Sequence, residues 1–126
     1  MVNLFPGCPA HCLCNKHLNS VLAEYNNLLM PSMRKGNSIK GYIDHGCVDL
    51  QFLNERIIDC VEEYKARGLD WHYKVPTEED IALHNKYRRL YQDFTPKRRE
   101  EMAEMNKRIL AFRCPKCREK LLVERA

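Results

Sequence analysis

The sequence lacks an apolar run long enough to cross a membrane. Its 126 residues are 44% hydrophobic and 30% charged, and no window approaches the roughly 18 consecutive apolar residues of a membrane-spanning helix. It also lacks internal repeats and low-complexity segments. These absences leave one soluble globular domain with its own core as the expectation.

An export signal is also lacking, because Met1–Pro6 contains neither a basic segment nor an apolar segment. We therefore expect a cytoplasmic location and no membrane partner. In a reducing compartment the seven cysteines do not favour a disulfide framework. Metal binding or ordinary packing explains them better.

Acidic residues and histidines do not cluster in the way that a metal-dependent nuclease requires, so we rank that class last. Basic residues, in contrast, are concentrated in one part of the chain. Residues 85–126 carry 13 Lys and Arg against 6 Asp and Glu, whereas residues 1–84 carry 8 against 11. The basic tail can attract nucleic acid, although many basic helices are simply solvated surfaces.

Helical periodicity dominates the apolar pattern and predicts a mostly α, compact single domain of three to four helices with long loops. The first predicted helix carries Leu18, Val21, Leu22, Tyr25, Leu28 and Leu29 on its inner face. The second runs from Val48 to Arg67 and stops at Gly68. Its predicted buried residues are Leu50, Leu53, Ile57, Cys60, Val61 and Tyr64. Met30–Gly46 is predicted to be a long connection.

Two further helices are predicted from their start signals. Thr77 with Asp80 three residues later forms a weakened capping box, and its helix turns Ile81, His84, Tyr87, Leu90 and Tyr91 inward. Thr95 followed by Pro96 is a cap with proline at the first helical position. That last helix extends to about Leu110 and directs Met102, Met105 and Ile109 inward.

His17 and Glu24 lie seven residues apart on the first predicted helix. Seven residues make almost two turns, so both side chains project from nearly the same angle at the edge of the apolar stripe. A half-desolvated carboxylate there suits general acid or base chemistry. A solvated pair at the edge of the helix is the simpler alternative.

The cysteines near the two ends of the chain suggest one metal site. Cys114-Pro115-Lys116-Cys117 has the spacing of a metal-binding knuckle. Cys8-Pro9-Ala10-His11-Cys12 offers a second pair, so we predict that Cys8, Cys12, Cys114 and Cys117 bind one structural Zn²⁺, with Cys14 as the first substitute. Unbound thiols and an iron–sulfur or redox role are the alternatives.

Four segments together resemble the pyrimidine-dimer DNA glycosylase/AP lyase family of phages, of the endonuclease V type. They are Asn3-Leu4, Asn15-Lys16-His17-Leu18 with Glu24, the helix from Leu50-Gln51-Phe52-Leu53 to Arg67-Gly68, and Pro76-Thr77-Glu78-Glu79-Asp80. The resemblance covers about residues 2–96. It divides the chain into a glycosylase-like helical domain at 1–96 and a basic helical extension at 97–126, packed on the same domain.

The resemblance implies a DNA repair enzyme that forms a Schiff base with its N-terminal amine. The nucleophile would be the α-amine of Val2, exposed when Met1 is removed, and Glu24 would promote protonation and elimination. Lys16 and His17 would contact duplex DNA near a flipped nucleotide, and we add Arg34 and Lys35 as candidate DNA contacts. We favour a monomer, in the host cytoplasm if a phage encodes it. The rival reading is a non-catalytic zinc-containing DNA-binding or interaction protein on the same scaffold.

Three positions depart from the family members that act on dimers. Those relatives carry arginine where this chain has Asn3, Ala23 and Asn27. Because such arginines bind phosphates around the lesion, we expect abasic-site cleavage with little or no dimer excision.

Overall fold

The computed structural model describes residues 4–69, 73–91 and 95–125. Within those ranges the chain is helical and forms one compact domain, as predicted. The elements are a 3₁₀ turn at Ala10–Cys12, α1 at Asn15–Glu24, a π segment at Tyr25–Leu29, α2 at Met30–Arg34, α3 at Lys40–Asp44, α4 at Leu53–Ala66, α5 at Glu78–Leu90, α6 at Pro96–Arg113 and α7 at Pro115–Arg125. In these described parts, no helix combines the length and apolarity needed to cross a bilayer.

The first predicted helix is longer than its apolar stripe and contains a π segment. α1, the π segment and α2 follow one another without a break, and Leu18, Val21 and Leu22 are fully buried. A π turn holds one residue more than an α turn, so residues within it shift around the helix axis. Leu28, predicted to face inward, is 49% exposed for this reason.

The predicted connection at Met30–Gly46 was wrong in part, because α2 and α3 lie within it. Pro31 does not prevent α2, since it occupies the first turn, where its missing N–H costs no helical hydrogen bond.

The second predicted helix, α4, begins at Leu53, five residues after the predicted start. The residues before it form a turn in which the Phe52 N–H donates to the Asp49 carbonyl, at 3.2 Å. The six residues predicted as its buried side are all buried. Gly68 follows with a φ of +70°, as expected of a residue that ends a helix.

The capping box of α5 is confirmed. The Thr77 hydroxyl accepts a hydrogen bond from the Asp80 N–H at 3.2 Å, and the Asp80 carboxylate accepts one from the Thr77 N–H at 3.1 Å. His84 and Tyr87 are buried as predicted, but Leu90 is 66% exposed. The predicted inner face therefore holds only over the middle of this helix.

α6 begins at its predicted cap, where Thr95 accepts from the Arg98 N–H. Its inner face differs from the prediction. Met102 is buried, but Met105 is 42% exposed and Asn106 is buried instead. The Asn106 side-chain amide donates to the carbonyls of Pro6 at 3.0 Å and Gly46 at 3.3 Å, and these bonds offset the cost of burying it.

The N-terminal segment lies directly against α6. Gly7 has a φ of +88°, and a methyl group on it would overlap Ala103. Only glycine fits this close approach. After the break at Cys114, α7 returns to pack on α6 and on the 3₁₀ turn, and Cys117 and Leu121 join the core. This path brings the C-terminal cysteines to the start of α1.

Candidate metal centre

Four side chains from opposite ends of the sequence meet at the start of α1. The donor atoms of Cys14, His17, Cys114 and Cys117 all lie within 4.8 Å of one another. The Cys14 and Cys114 sulfurs are 3.8 Å apart, and His17 Nδ1 is 3.1 Å from the Cys14 sulfur and 3.4 Å from the Cys117 sulfur. Three thiols and one imidazole in this arrangement could hold a metal ion.

The two halves of this cluster have the same local structure. The N-terminal knuckle is residues 14–17 and the C-terminal knuckle is residues 114–117. In each, a cysteine directly precedes a helix and the second donor follows three residues later. In each, the carbonyl of the first cysteine accepts a 2.9 Å hydrogen bond from the N–H four residues on. Both knuckles therefore present a helix N-terminus to the cluster.

Helix N-termini favour thiolates, because their first N–H groups have no partner within the helix. Although burial acts in the opposite direction, the backbone N–H groups of Cys117 and Lys116 lower the pKa of the Cys114 thiol. The Cys14 N–H donates to the Cys117 sulfur at 3.2 Å. Burial, and then the neighbouring sulfurs of Cys14 and Cys114, still raise the pKa of Cys117 to about 12.

His17 is available as a neutral imidazole, the form that binds metals. Burial, and then the nearby charge of Lys16, lower its pKa. The Phe5 ring packs edge-on against the imidazole, with ring centroids 5.6 Å apart. The N-terminal segment thus borders the cluster.

The predicted ligand set needs correction. Cys114 and Cys117 are in the cluster and Cys14, the first substitute, joins them, but Cys8 and Cys12 do not belong to it. Cys8 is fully buried and burial raises its pKa to about 11, which disfavours the thiolate that binds metal. The Cys12 sulfur contacts the Lys120 carbonyl at 3.9 Å. The physical reason is that Cys14, not Cys8 or Cys12, stands at the start of a helix.

The sequence prediction assigned His17 to DNA and missed it as a metal-site residue. The available signal was its spacing, because Cys14-Asn15-Lys16-His17 matches Cys114-Pro115-Lys116-Cys117 in length. The other two cysteines, Cys47 and Cys60, are buried, as expected of packing residues.

Glu24 lies at the opposite end of α1 and is only 5% exposed. The Tyr42 hydroxyl donates to its carboxylate at 3.3 Å. Burial, followed by the charge of Glu24, raises the pKa of Tyr42, and burial and Glu24 also raise the pKa of Cys47. The Cys47 carbonyl accepts a hydrogen bond from the Leu4 N–H at 3.1 Å, so the N-terminal segment packs against the residue whose pKa Glu24 raises.

The remaining predicted site residues are scattered. Val2 lies outside the described residues. Lys16 is exposed on the first turn of α1 and Lys35 is exposed at the end of α2. Arg34 pairs with Asp80 at 3.1 Å while its side chain remains 56% exposed. These cations are not gathered with Glu24 into one described cluster.

Comparisons of the chain with protein-family models, with curated proteins and with solved structures found no match. The resemblance to the phage glycosylases therefore stays a prediction.

Proposed function

We propose that this protein is a DNA glycosylase/AP lyase whose C-terminal extension is held to α1 by a structural zinc ion. Val2 would supply the nucleophilic amine and Glu24 the acid/base group. The observation that carries the proposal is the burial of Glu24 beside residues that fix the N-terminal segment.

The donor set fits zinc. A tetrahedral zinc site, with bonds of about 2.3 Å to sulfur and about 2.0 Å to nitrogen, separates two sulfurs by about 3.8 Å and a sulfur from a nitrogen by about 3.6 Å. The separations of 3.8, 3.4 and 3.1 Å in the cluster require shifts of at most about half an ångström from those values. Three thiolates with one imidazole are typical of structural zinc, whereas iron–sulfur clusters are usually held by four cysteines.

The proposed zinc ion would have a structural role. When bound, it would neutralise the thiolates and link α1 to α7 across a hundred residues of chain. Structural zinc sites of this kind contribute directly to folding, and this one has no open position for catalysis once all four donors bind.

The proposed acid/base group is supported by its surroundings. Glu24 is buried and accepts a hydrogen bond from the Tyr42 hydroxyl. The Phe5 contact with His17 and the Leu4 bond to Cys47 hold the N-terminal segment against α1 and against the cysteine whose pKa Glu24 raises. Two residues span at most about 7 Å, so an amine at Val2 would be tethered within reach of this region.

An α-amine suits this chemistry because its unperturbed pKa is near 7.7–8.0, so an appreciable fraction is neutral at working pH. In the proposed reaction the Val2 amine attacks C1′ of the target nucleotide and the base leaves. The resulting imine then permits β-elimination at the 3′ side. Glu24 would exchange the protons that these steps require.

The second candidate is a non-catalytic zinc-containing DNA-binding protein on the same scaffold. It is favoured by the place of His17, which lies in the cluster instead of being free to contact DNA. This candidate requires DNA binding and zinc, but no imine.

Borohydride trapping on abasic-site duplex separates the two candidates. We expect a covalent adduct at the Val2 amine, located by peptide mass spectrometry, with intact mass reporting whether Met1 has been removed. A variant with added N-terminal residues is the matched control and should give no adduct. An adduct through a lysine, or stable DNA binding with no adduct at all, contradicts the lyase proposal.

Substrate choice can be measured on the same protein. Asn3, Ala23 and Asn27 cannot supply the phosphate-binding cations of dimer-specific relatives, and abasic DNA needs no base excision. We therefore expect cleavage of abasic duplex to exceed excision of ultraviolet dimers on matched sequences. Comparable rates would show that other residues replace those arginines.

A further inference from the structure

The corner between α6 and α7 exposes the most accessible large hydrophobic side chain among the described residues. Phe112 is 85% exposed and stands two residues before Cys114, a member of the metal cluster. A phenyl ring so fully in water gains nothing from folding. The ring is therefore available to a partner with an apolar or aromatic surface.

Exposed cations are concentrated in the sequence that follows this ring. Residues 112–120 contain Arg113, Lys116, Arg118 and Lys120 against one acidic residue, Glu119, and all five are exposed. Lys16, also exposed, is adjacent to His17 in the other knuckle. Three thiolates and a divalent zinc ion would leave the cluster with a charge of −1, so these side chains keep its surroundings positive.

The corner is rigid as well as basic. The Arg118 side chain donates to the Ala111 carbonyl at 2.6 Å and to the Phe112 carbonyl at 3.3 Å. It thereby satisfies carbonyl groups at the end of α6, which helices otherwise leave unpaired. Cys114 and Cys117, which follow Phe112, belong to the cluster. The backbone at Phe112 is therefore held from both sides.

We infer that Phe112 stacks on or wedges between bases of bound DNA, while Arg113, Lys116 and Lys16 hold the adjacent phosphates. The partner is recognised by charge complementarity, because a polyanion with stackable bases satisfies both the cations and the ring. The inference rests on the DNA binding of the proposed function, but not on its lyase chemistry.

The test uses the full-length zinc-loaded protein and a fluorescent 20-base-pair abasic duplex, with anisotropy measured over a range of salt concentrations. Phe112→Ala should weaken binding by about 5-fold or more, as expected for one lost base stack, without changing the salt slope. Leu90→Ala is the matched control, because Leu90 is equally apolar, 66% exposed and on α5; it should bind like the unmodified protein. Lys116→Gln should instead reduce the slope of log K against log salt by about 1.

A 2-aminopurine base beside the abasic site reports stacking directly. Its fluorescence should change on binding of the unmodified protein and not on binding of Phe112→Ala. Zinc content and thermal unfolding should be the same in both proteins, because the ring is exposed.

The outcomes separate this inference from the proposed function. Equal affinities for Phe112→Ala and Leu90→Ala, or an unchanged salt slope for Lys116→Gln, overturn the inference while leaving the lyase proposal standing. Failure of the unmodified protein to bind DNA, or much tighter binding to duplex RNA, overturns the DNA contact and undermines both. Binding with the expected losses but without imine trapping supports the contact and refutes only the lyase chemistry.

Discussion

The two ends of α1 place ionisable groups in contrasting surroundings. At its start, sulfurs and an imidazole meet the N-termini of two helices, where backbone N–H groups stabilise thiolates. At its other end, Glu24 is buried, accepts a hydrogen bond from Tyr42 and raises the pKa values of Tyr42 and Cys47. The first end could hold a metal ion, and at the second we propose that Glu24 exchanges protons. One helix thus contributes both to the candidate metal centre and to the proposed chemical one.

Removing a metal ligand should have the largest effect. Cys114→Ala should abolish stoichiometric zinc and lower the free energy of unfolding by more than about 4 kcal/mol, because structural zinc contributes directly to folding. Metal analysis and denaturant unfolding measure both quantities. A chelator titration of the unmodified protein gives the same information if the variant does not fold.

Cys8→Ala is the matched control for that experiment. Cys8 is as buried as any residue in the core but lies outside the cluster. The variant should keep its zinc and lose only about 1–2 kcal/mol, as expected for a small cavity. Loss of zinc from Cys8→Ala as well as from Cys114→Ala would restore the ligand set predicted from the sequence.

Acid should lower the free energy of unfolding through His84. Its Nε2 lies 2.6 Å from the hydroxyl of Tyr25, the residue that follows Glu24. Burial lowers the pKa of His84 to about 4, below its unfolded value of about 6.5. Between these values the unfolded chain binds the extra proton, so stability falls as pH drops from about 6.5 to about 4. The loss approaches ~3 kcal/mol.

His84→Gln isolates this contribution, because zinc loss in acid affects both proteins alike. Unfolding free energies at pH 7 and pH 5 should differ less in the variant than in the unmodified protein. Equal pH dependence in both would mean that His84 is not buried in its neutral form.

Glu24→Gln should reduce abasic-strand cleavage about 100-fold or more, the range for a positioned acid/base group. Because the amide keeps the shape of the carboxylate, zinc content and DNA affinity should persist. Glu55→Gln, an exposed position on α4, is the matched control and should cleave normally. Full activity in Glu24→Gln would make this carboxylate a structural residue only.

The smallest effect is expected from Tyr42→Phe. This change removes the hydrogen bond to Glu24 and should cost about 1 kcal/mol, or up to about tenfold in cleavage. Tyr73→Phe removes a bond to Asn19, at 2.8 Å on an exposed surface, and leaves the hydrogen bond between Tyr42 and Glu24 in place. A larger effect from Tyr73→Phe than from Tyr42→Phe would contradict the special role of the Glu24 environment.

Sequence reasoning succeeded where structure depends on near neighbours. The capping box at Thr77, the cap and proline at Thr95 and Pro96, and the buried stripe of α4 are all as predicted. Each depends on residues within about one or two turns, so the pattern is written into the local sequence.

Prediction from the sequence failed where contacts with residues distant in the chain determine which side chain is buried. Asn106 replaces Met105 on the inner face of α6, because carbonyls of Pro6 and Gly46 accept from its amide. No local rule indicates that these carbonyls will lie there. The π segment likewise turns Leu28 outward, which the apolar spacing alone does not reveal.

The sequence by itself determined that the chain is helical, where α5 and α6 begin, and that Cys114 and Cys117 have the spacing of a metal-binding knuckle. Only the tertiary structure decided that Cys14 and His17, and not Cys8 and Cys12, meet Cys114 and Cys117. The physical reason is that spacing fixes the geometry within each knuckle, whereas the meeting of the two knuckles depends on the path of α6 and α7 across the core. That path is set by packing between residues about a hundred positions apart, such as Gly7 against Ala103.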